Sequence, residues 1–395
     1  MNKKFSVIIL CYRHFEYLHS AIESVLQQNY DNIELIVSDD HSDGFPFDDI
    51  GSFIQERKKE NVTNVVIRQE KENSGTVRHI NHAVKDASGD YIVLLAGDDA
   101  LYDKDVLSNY VTHFQSAPKD CLVEMAQTAM YDEQLTTVLD YYLKDAVRRA
   151  IEETASDGSK LRRMLIKYGA CLPSTSTCFK RRFFDEVGYF DERYVLVEDY
   201  PMHYKLAETN RIIHYADFLA IKHRSGGISH GQSNTLSKSR ILYLTDTENM
   251  IKEIVMPNLN CLDEHDRDVV RTRQMRQLLS IQYQKARSEN NYLKLLWLAI
   301  KNPAIAYKKI RSRLYAFADV KGKYFLFGAL GLFFCARTLV EIIEASVFTG
   351  YDSQKLYGGI LSCAWLFVGI WGLTILIRCF DRIFVSIETE PEREK

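Results

Sequence analysis

No Cys-x-x-Cys pair occurs in this chain, and no Cys/His cluster has zinc-ligand spacing, although there are eight cysteines. A zinc module is thereby excluded. Cys11, Cys121, Cys171, Cys178, Cys261, Cys335, Cys363 and Cys379 are scattered, several within apolar runs, which predicts free thiols in a reducing compartment. No Gly-x-Gly-x-x-Gly follows the first strand-like run, so a nicotinamide-dependent dehydrogenase fits poorly. A net charge of −3 over 395 residues gives no reason to expect nucleic acid as a partner. The opening Met1-Asn2-Lys3-Lys4 leads straight into Phe5-Ser6-Val7-Ile8-Ile9-Leu10. That run is too short for a signal-peptide core, and no small-residue cleavage site follows it. The N-terminal domain is therefore expected to stay in the cytoplasm. There is no internal repeat and no low-complexity linker.

Two acidic pairs stand out. Asp39-Asp40 follows the apolar run Ile33–Val37, and Asp98-Asp99 follows Tyr91–Leu95. In an open α/β sheet, ligands bind outside the carboxyl ends of the strands. Either pair alone reads equally well as a turn or helix cap. Together they predict one acidic crevice suited to a divalent cation carrying a phosphorylated ligand.

The first hundred residues alternate strand and helix. Val7–Leu10 is followed by a helix with Tyr17, Leu18, Ala21, Ile22, Val25 and Leu26 on one face. After the Ile33–Val37 strand come a polar helix around Phe53–Lys59 and a short strand Val65–Ile67. The next helix turns Val77, Ile80, Ala83, Val84 and Ala87 inward and stops at Ser88-Gly89. This alternation predicts a mainly parallel sheet with helices on both faces. Residues 100–170 read as helical, 171–230 as mixed and turn-rich, and 236–320 as helical and charged.

The C-terminal end changes character. Tyr324–Val340 and Tyr357–Phe380 are apolar runs, each able to supply about the 20 residues that cross a bilayer. Arg337, Glu341 and Glu344 weaken the first. A hydrophobic core helix is the alternative for each run. Basic residues gather before the first run, and Arg378 and Arg382 close the second, while Thr349–Leu356 holds only Lys355. The positive-inside rule then puts both ends in the cytoplasm and the short loop outside. A re-entrant hairpin gives the same pattern. The stretch Tyr292–Tyr315 is basic with Leu293, Leu296, Trp297, Ile300 and Ile305 interspersed. It reads equally as a helix lying on an anionic membrane surface or as an ordinary surface helix pair.

From about residue 5 to about 230 the chain resembles a family-2 glycosyltransferase. The pieces, in order, are Ser6–Tyr12, Ser20–Gln28, Glu34–Gly44, Asn73-Ser74-Gly75 with Asn81, Ala87–Ile92 and Gly97-Asp98-Asp99. Lys180–Glu192, with its Gly188-Tyr189-Phe190-Asp191, and then Glu198-Asp199-Tyr200 continue the match. The resemblance implies a GT-A fold, a Rossmann-like nucleotide-diphospho-sugar transferase domain. The expected layout is that domain over 1–235, a helical membrane-proximal region over 236–320, a two-helix transmembrane hairpin over 321–385 and a charged tail over 386–395.

It also implies roles. Asp39 or Asp40 would accept from the donor's base, uracil most often, because the wrong base leaves a carboxylate unpaired. Asn73 and Gly75 belong to the same nucleotide-sugar site. Asp98-Asp99 resembles the family's Asp-x-Asp element, with Asp99 the direct ligand of Mn²⁺ or Mg²⁺. Ala96 stands where many members carry the first Asp, which leaves the ligand count open. Arg78 would touch the diphosphate or, as its helix position favours, form a solvated face. Taken alone, Glu198-Asp199 before Tyr200-Pro201 reads as the start of a surface helix. The resemblance makes Asp199 the base that removes the acceptor's proton, with Glu198 positioning the acceptor or sharing that role. Lys222–His230 resembles the loop over the donor diphosphate, where His223 and Arg224 compete for one place as metal or phosphate ligand. An ordinary basic loop is the alternative.

The Gln-x-x-Arg-Trp element of processive synthases is absent, since Trp297, Trp365 and Trp371 follow Leu296, Ala364 and Ile370. One sugar per encounter is expected, added to a lipid-linked glycan at the inner leaflet of a bacterial cytoplasmic membrane, as in surface polysaccharide assembly. A polyprenyl-phosphate acceptor is the second reading, although Leu10–His14 departs from the start typical of that type. A non-catalytic, membrane-anchored nucleotide-sugar or glycan-binding protein is the third. Glu341 and Glu344 point to a polar helix contact, between subunits in a homo-oligomer, or to a first run that leaves the membrane by Val340.

Overall fold

The computed structural model describes residues 3–154, 157–225 and 237–301. Both long apolar runs, and with them the expected membrane hairpin and its oligomer contact, lie outside the described residues. Among those residues, no helix is long and apolar enough to cross a membrane.

Met1–Lys301 forms one compact unit. It opens with β1 (Phe5–Cys11), α1 (Leu18–Leu26), β2 (Ile33–Asp39), α2 (Phe47–Arg57), β3 (Val62–Gln69), α3 (Thr76–Asp86) and β4 (Tyr91–Ala96). The strands β3, β2, β1 and β4 lie side by side and parallel. β1 and β2 are almost wholly buried, as unbroken apolar runs in a parallel sheet must be. α1 buries Leu18, Ala21, Ile22, Val25 and Leu26, as its sequence predicts, but Tyr17, expected on the same face, precedes the helix as its N-cap.

The other half departs from expectation. After β5 (Ala100–Leu101) and α4 (Val106–Ser116) comes β6 (Val123–Tyr131), a nine-residue strand inside a region whose sequence reads as helical. β6 carries Glu124, Gln127 and Thr128 among Ala and Met, so it shows neither alternation nor β-branched enrichment. Then follow β7 (Val138–Tyr141), α5 (Asp145–Thr154), α6 (Gly158–Tyr168), β8 (Thr177–Lys180), α7 (Arg182–Glu186), α8 (Asp199–Glu208) and β9 (His214–Arg224). β8 runs antiparallel to β4 and to β6, and β6 runs parallel to β9. The sheet is thus parallel in its N-terminal half and mixed beyond β4.

α2 begins at Phe47, earlier than the polar helix expected around Phe53. Gly89 does not stop α3, which ends at Asp86. It makes room instead, because a Cβ there would lie 2.5 Å from the Ser6 amide nitrogen. Around it, Ser6, Ser88 and Asn64 all donate to the buried carboxylate of Glu34, at the end of the sheet away from the acidic pairs.

The described residues finish with α9 (Lys238–Met250), a π-helical turn Ile251–Val255, a tight turn Met256–Cys261, α10 (Glu264–Ser288) and α11 (Tyr292–Lys301). Met250, Ile254, Leu259 and Val270 share one apolar core with Ile80, Leu94 and Phe179 of the sheet domain. The described cysteines are free.

Candidate active site

The site residues gather at the carboxyl ends of β2, β4, β6 and β9. Asp39 is the last residue of β2. It is fully buried, and its carboxylate accepts from the Ser42 amide and hydroxyl at 2.6 Å each and from Gln69 Nε2 at 2.9 Å. Asp40 turns the other way. It accepts from the Ser74 amide and hydroxyl at 2.8 and 2.9 Å and from the Gly75 amide at 2.9 Å, capping the entrance to α3. Asn73 donates to the Asp40 carbonyl. Both carboxylates therefore fix the shape of the loops at this rim. Gly75 has φ +82, and a Cβ there would lie 2.6 Å from Val195 Cγ1. Arg78 forms an exposed ion pair with Glu192, 3.3 Å away.

Asp98 and Asp99 follow β4 and face the end of β9. Asp99 is fully buried. His223 Nδ1 donates to its Oδ2 at 2.9 Å, and the Arg224 amide donates to its Oδ1 at 3.0 Å. The Arg224 side chain does not remain free for a ligand. It donates to the Asp98 carbonyl at 2.7 Å and to the Glu133 carbonyl, and lies 3.9 Å from the Tyr17 ring centroid. Tyr17 in turn donates to Glu133 Oε1 at 2.9 Å. His223 and Arg224, rivals for one place in the sequence, thus hold two different parts of the same acidic pair.

Burial, and next the charge of Asp99, push the Asp98 carboxyl above its ordinary range. Burial opposes a charge on His223, yet the hydrogen bond and charge of Asp99 outweigh it and raise the imidazole. Carboxylates are donors that suit Mn²⁺ or Mg²⁺. Among the described residues, no group of three His, Cys, Asp or Glu side chains could hold a metal ion by itself. A cation here would need ligands from outside the protein, such as a bound diphosphate.

Glu198 and Asp199 sit at the start of α8, both partly buried. Ser174 donates to Glu198 Oε1 at 2.8 Å, and the Tyr200 amide donates to Asp199 Oδ1 at 2.6 Å. Both carboxyls are held above the ordinary range, Glu198 by burial and the charge of Asp199, Asp199 by burial. Raised carboxyls suit general base work at neutral pH.

Sequence reasoning missed Ser42, Gln69, Tyr17, Glu133 and Ser174. Gln69, Tyr17, Glu133 and Ser174 are common polar residues whose partners are distant in the chain, so spacing gives no sign of them; Ser42 lies three residues after Asp39, a turn the sequence does show. It also missed Asp246, on α9, whose Oδ2 accepts from three successive amides just before Glu198.

Residues 6–184 match the profile of glycosyl transferase family 2. Protein CgeD of Bacillus subtilis (strain 168) is 31% identical over 149 residues, 37% of this chain and 34% of CgeD. An uncharacterized glycosyltransferase of Rickettsia felis is 27% identical over 258 residues, 62% of this chain and 39% of that protein. This chain therefore spans little more than a third of the length of these relatives. Among solved structures, S. aureus TarS 1-349 in complex with UDP-GlcNAc is similar at 15% identity and a TM-score of 0.49, covering 75% of this chain and 79% of that one.

Proposed function

We propose that this protein transfers a single sugar, with inversion, from a nucleoside-diphosphate sugar, UDP foremost, to a hydroxyl of a lipid-linked glycan. Two acidic sites support the reading. One is Asp98-Asp99, clasped by His223 and Arg224. The other is Glu198-Asp199, with carboxyls raised by burial.

In this reading Asp39, Asp40, Asn73 and Gly75 shape the wall that receives the base. Asp98, Asp99 and His223 would hold Mn²⁺ or Mg²⁺, which when bound offsets charge on the departing diphosphate. Arg224 keeps the Asp98 carbonyl and the Asp99 carboxylate in place. Asp199 takes the proton of the acceptor hydroxyl as its oxygen bonds to the anomeric carbon. The bond from that carbon to the diphosphate breaks in the same displacement, and the nucleoside diphosphate leaves with the electron pair. Glu198, oriented by Ser174, shares the base role or positions the acceptor.

The apolar runs Tyr324–Val340 and Tyr357–Phe380 support a lipid-linked acceptor, because an anchored enzyme meets a membrane-bound substrate at high effective concentration. The reading places the enzyme on a bacterial cytoplasmic membrane with its catalytic domain on the inner side, and allows oligomers through the same segments.

Calorimetric titration of UDP, GDP and dTDP, with and without Mn²⁺, beside Asp99→Ala, tests the donor site. Metal-dependent binding of one nucleotide, lost in the variant, is the expected result. Folded protein that binds none of the three would overturn the proposal.

A further inference from the structure

The Glu198-Asp199 pair is steadied from outside the segment that matches the family. Residues 195–197 run directly into Glu198. The amides of Val195, Leu196 and Val197 donate to one oxygen, Asp246 Oδ2, at 2.8, 2.6 and 3.2 Å. Asp246 lies on α9 and is 2% exposed. Successive amides converging on one anion form a nest, and hydrogen bonds to an ionised acceptor are stronger than neutral ones. A second tie from the same region joins Arg193 to Glu253 at 3.1 Å.

The same short segment also rests on the donor side. The Val77 amide donates to the Val195 carbonyl, and Val195 closes over Gly75, whose amide binds Asp40. Residues 195–197 thus have two anchors, α3 toward the donor and Asp246 toward the acceptor.

We propose that Asp246 is a positioning residue for sugar transfer: it fixes residues 195–197 so that Glu198 and Asp199 meet the acceptor hydroxyl in line with the anomeric carbon. This rests on the reading of Glu198-Asp199 as the base. Asp246 itself touches no substrate, since the three amides hold one of its oxygens and it is buried. Without its carboxylate, three amides lose their acceptor and the segment shifts. The anchor on α3 survives, so the donor site keeps its geometry while the base loses its own.

The experiment compares Asp246→Ala, Asp246→Asn, Asp246→Glu and Asp199→Asn in the full chain. UDP binding with Mn²⁺ is measured by calorimetry. Turnover is followed as UDP release from a panel of UDP-hexoses and UDP-N-acetylhexosamines, with water and octyl glycosides as acceptors. Displacing a catalytic group by about 1 Å costs up to roughly a hundredfold. Asp246→Ala should lower kcat by about 30-fold or more while the UDP Kd and donor KM stay within about twofold. Asp246→Asn keeps an oxygen acceptor and should recover most of kcat. Asp246→Glu, whose extra methylene displaces the nest, should lose kcat again with UDP binding retained.

Unchanged kcat in both the alanine and glutamate variants overturns the inference, as does a loss of UDP binding in step with kcat. If the alanine variant fails to fold, the glutamate variant decides by the same criterion. Asp199→Asn separates the two levels. If it retains full turnover, the base assignment fails whatever Asp246 does. If it abolishes turnover while the Asp246 variants keep theirs, only the positioning role fails.

Discussion

The carbonyl of Val195 accepts a hydrogen bond from the amide of Val77 at 3.2 Å, and its side chain occupies the space that a Cβ on residue 75 would need. This contact joins the helix entrance capped by Asp40 to the segment that leads into Glu198 and Asp199. Gly75→Ala meets two obstacles, a φ of +82 and a contact of 2.6 Å with Val195 Cγ1. Strain of that kind costs on the order of 1–3 kcal/mol. Urea unfolding should report a loss in that range, and turnover should fall with it. A variant as stable and active as the parent would show that the joint is slack.

In the proposed reading, Asp199→Asn removes the proton acceptor and leaves the size of the side chain unchanged. Turnover should drop by about 10²–10⁴, the usual contribution of a general base. Binding of UDP with Mn²⁺ should stay as it was, because in the proposed reading Asp199 serves the acceptor rather than the donor. Loss of binding alongside turnover would place Asp199 in the donor site.

The raised carboxyls set a pH dependence whose sign is fixed. A base must be ionised, so kcat/KM should fall as pH drops through the raised values. That acid limb should lie above the ordinary carboxylate range of about 4. Stability moves the opposite way. A carboxyl whose folded pKa exceeds its unfolded value binds its proton more tightly in the fold, so ionisation at neutral pH costs stability. Asp199→Asn should therefore melt higher than the parent at pH 8, with the difference shrinking as pH falls. Melting curves at several pH values check this, and a constant difference would refute it.

Glu34 behaves in the reverse sense. Burial alone would raise its pKa, yet hydrogen bonds from Ser6, Ser88 and Asn64 outweigh burial and bring it down to about 2. Its contribution to stability is present above the unfolded value of about 4.5 and is lost as pH falls toward 2. The size is on the order of 3 kcal/mol at neutral pH. Glu34→Gln should cost about that much at pH 7 and little at pH 2.5. Denaturant midpoints at the two pH values supply the comparison.

Much of the N-terminal half was legible because apolar runs and helical stripes there are strong. The buried faces of α1 and α3 are the predicted ones, and Asp39-Asp40 and Asp98-Asp99 lie at strand ends. β6 was illegible because Glu124 and Thr128 are buried within the sheet, Glu124 beside His214 at 3.2 Å. Polar residues buried at such positions leave no periodic trace. The motif Ala87–Ile92 was found for its chemistry, but its Ser88 and Gly89 build the packing around Glu34. His223 and Arg224 could not be ranked from the sequence, since both lie at the end of one strand and each engages the acidic pair differently.

The Glu34 cluster and the acidic rim stand at opposite ends of the same strands. Asn64, Ser6 and Ser88 need only hold their own end for β1, β2 and β4 to stay in register. Variation at exposed rim positions around Asp98 and Glu133 therefore leaves this anchor untouched. A library of substitutions there should return mostly folded proteins, and donor preference becomes a property that selection can alter without first repairing the scaffold.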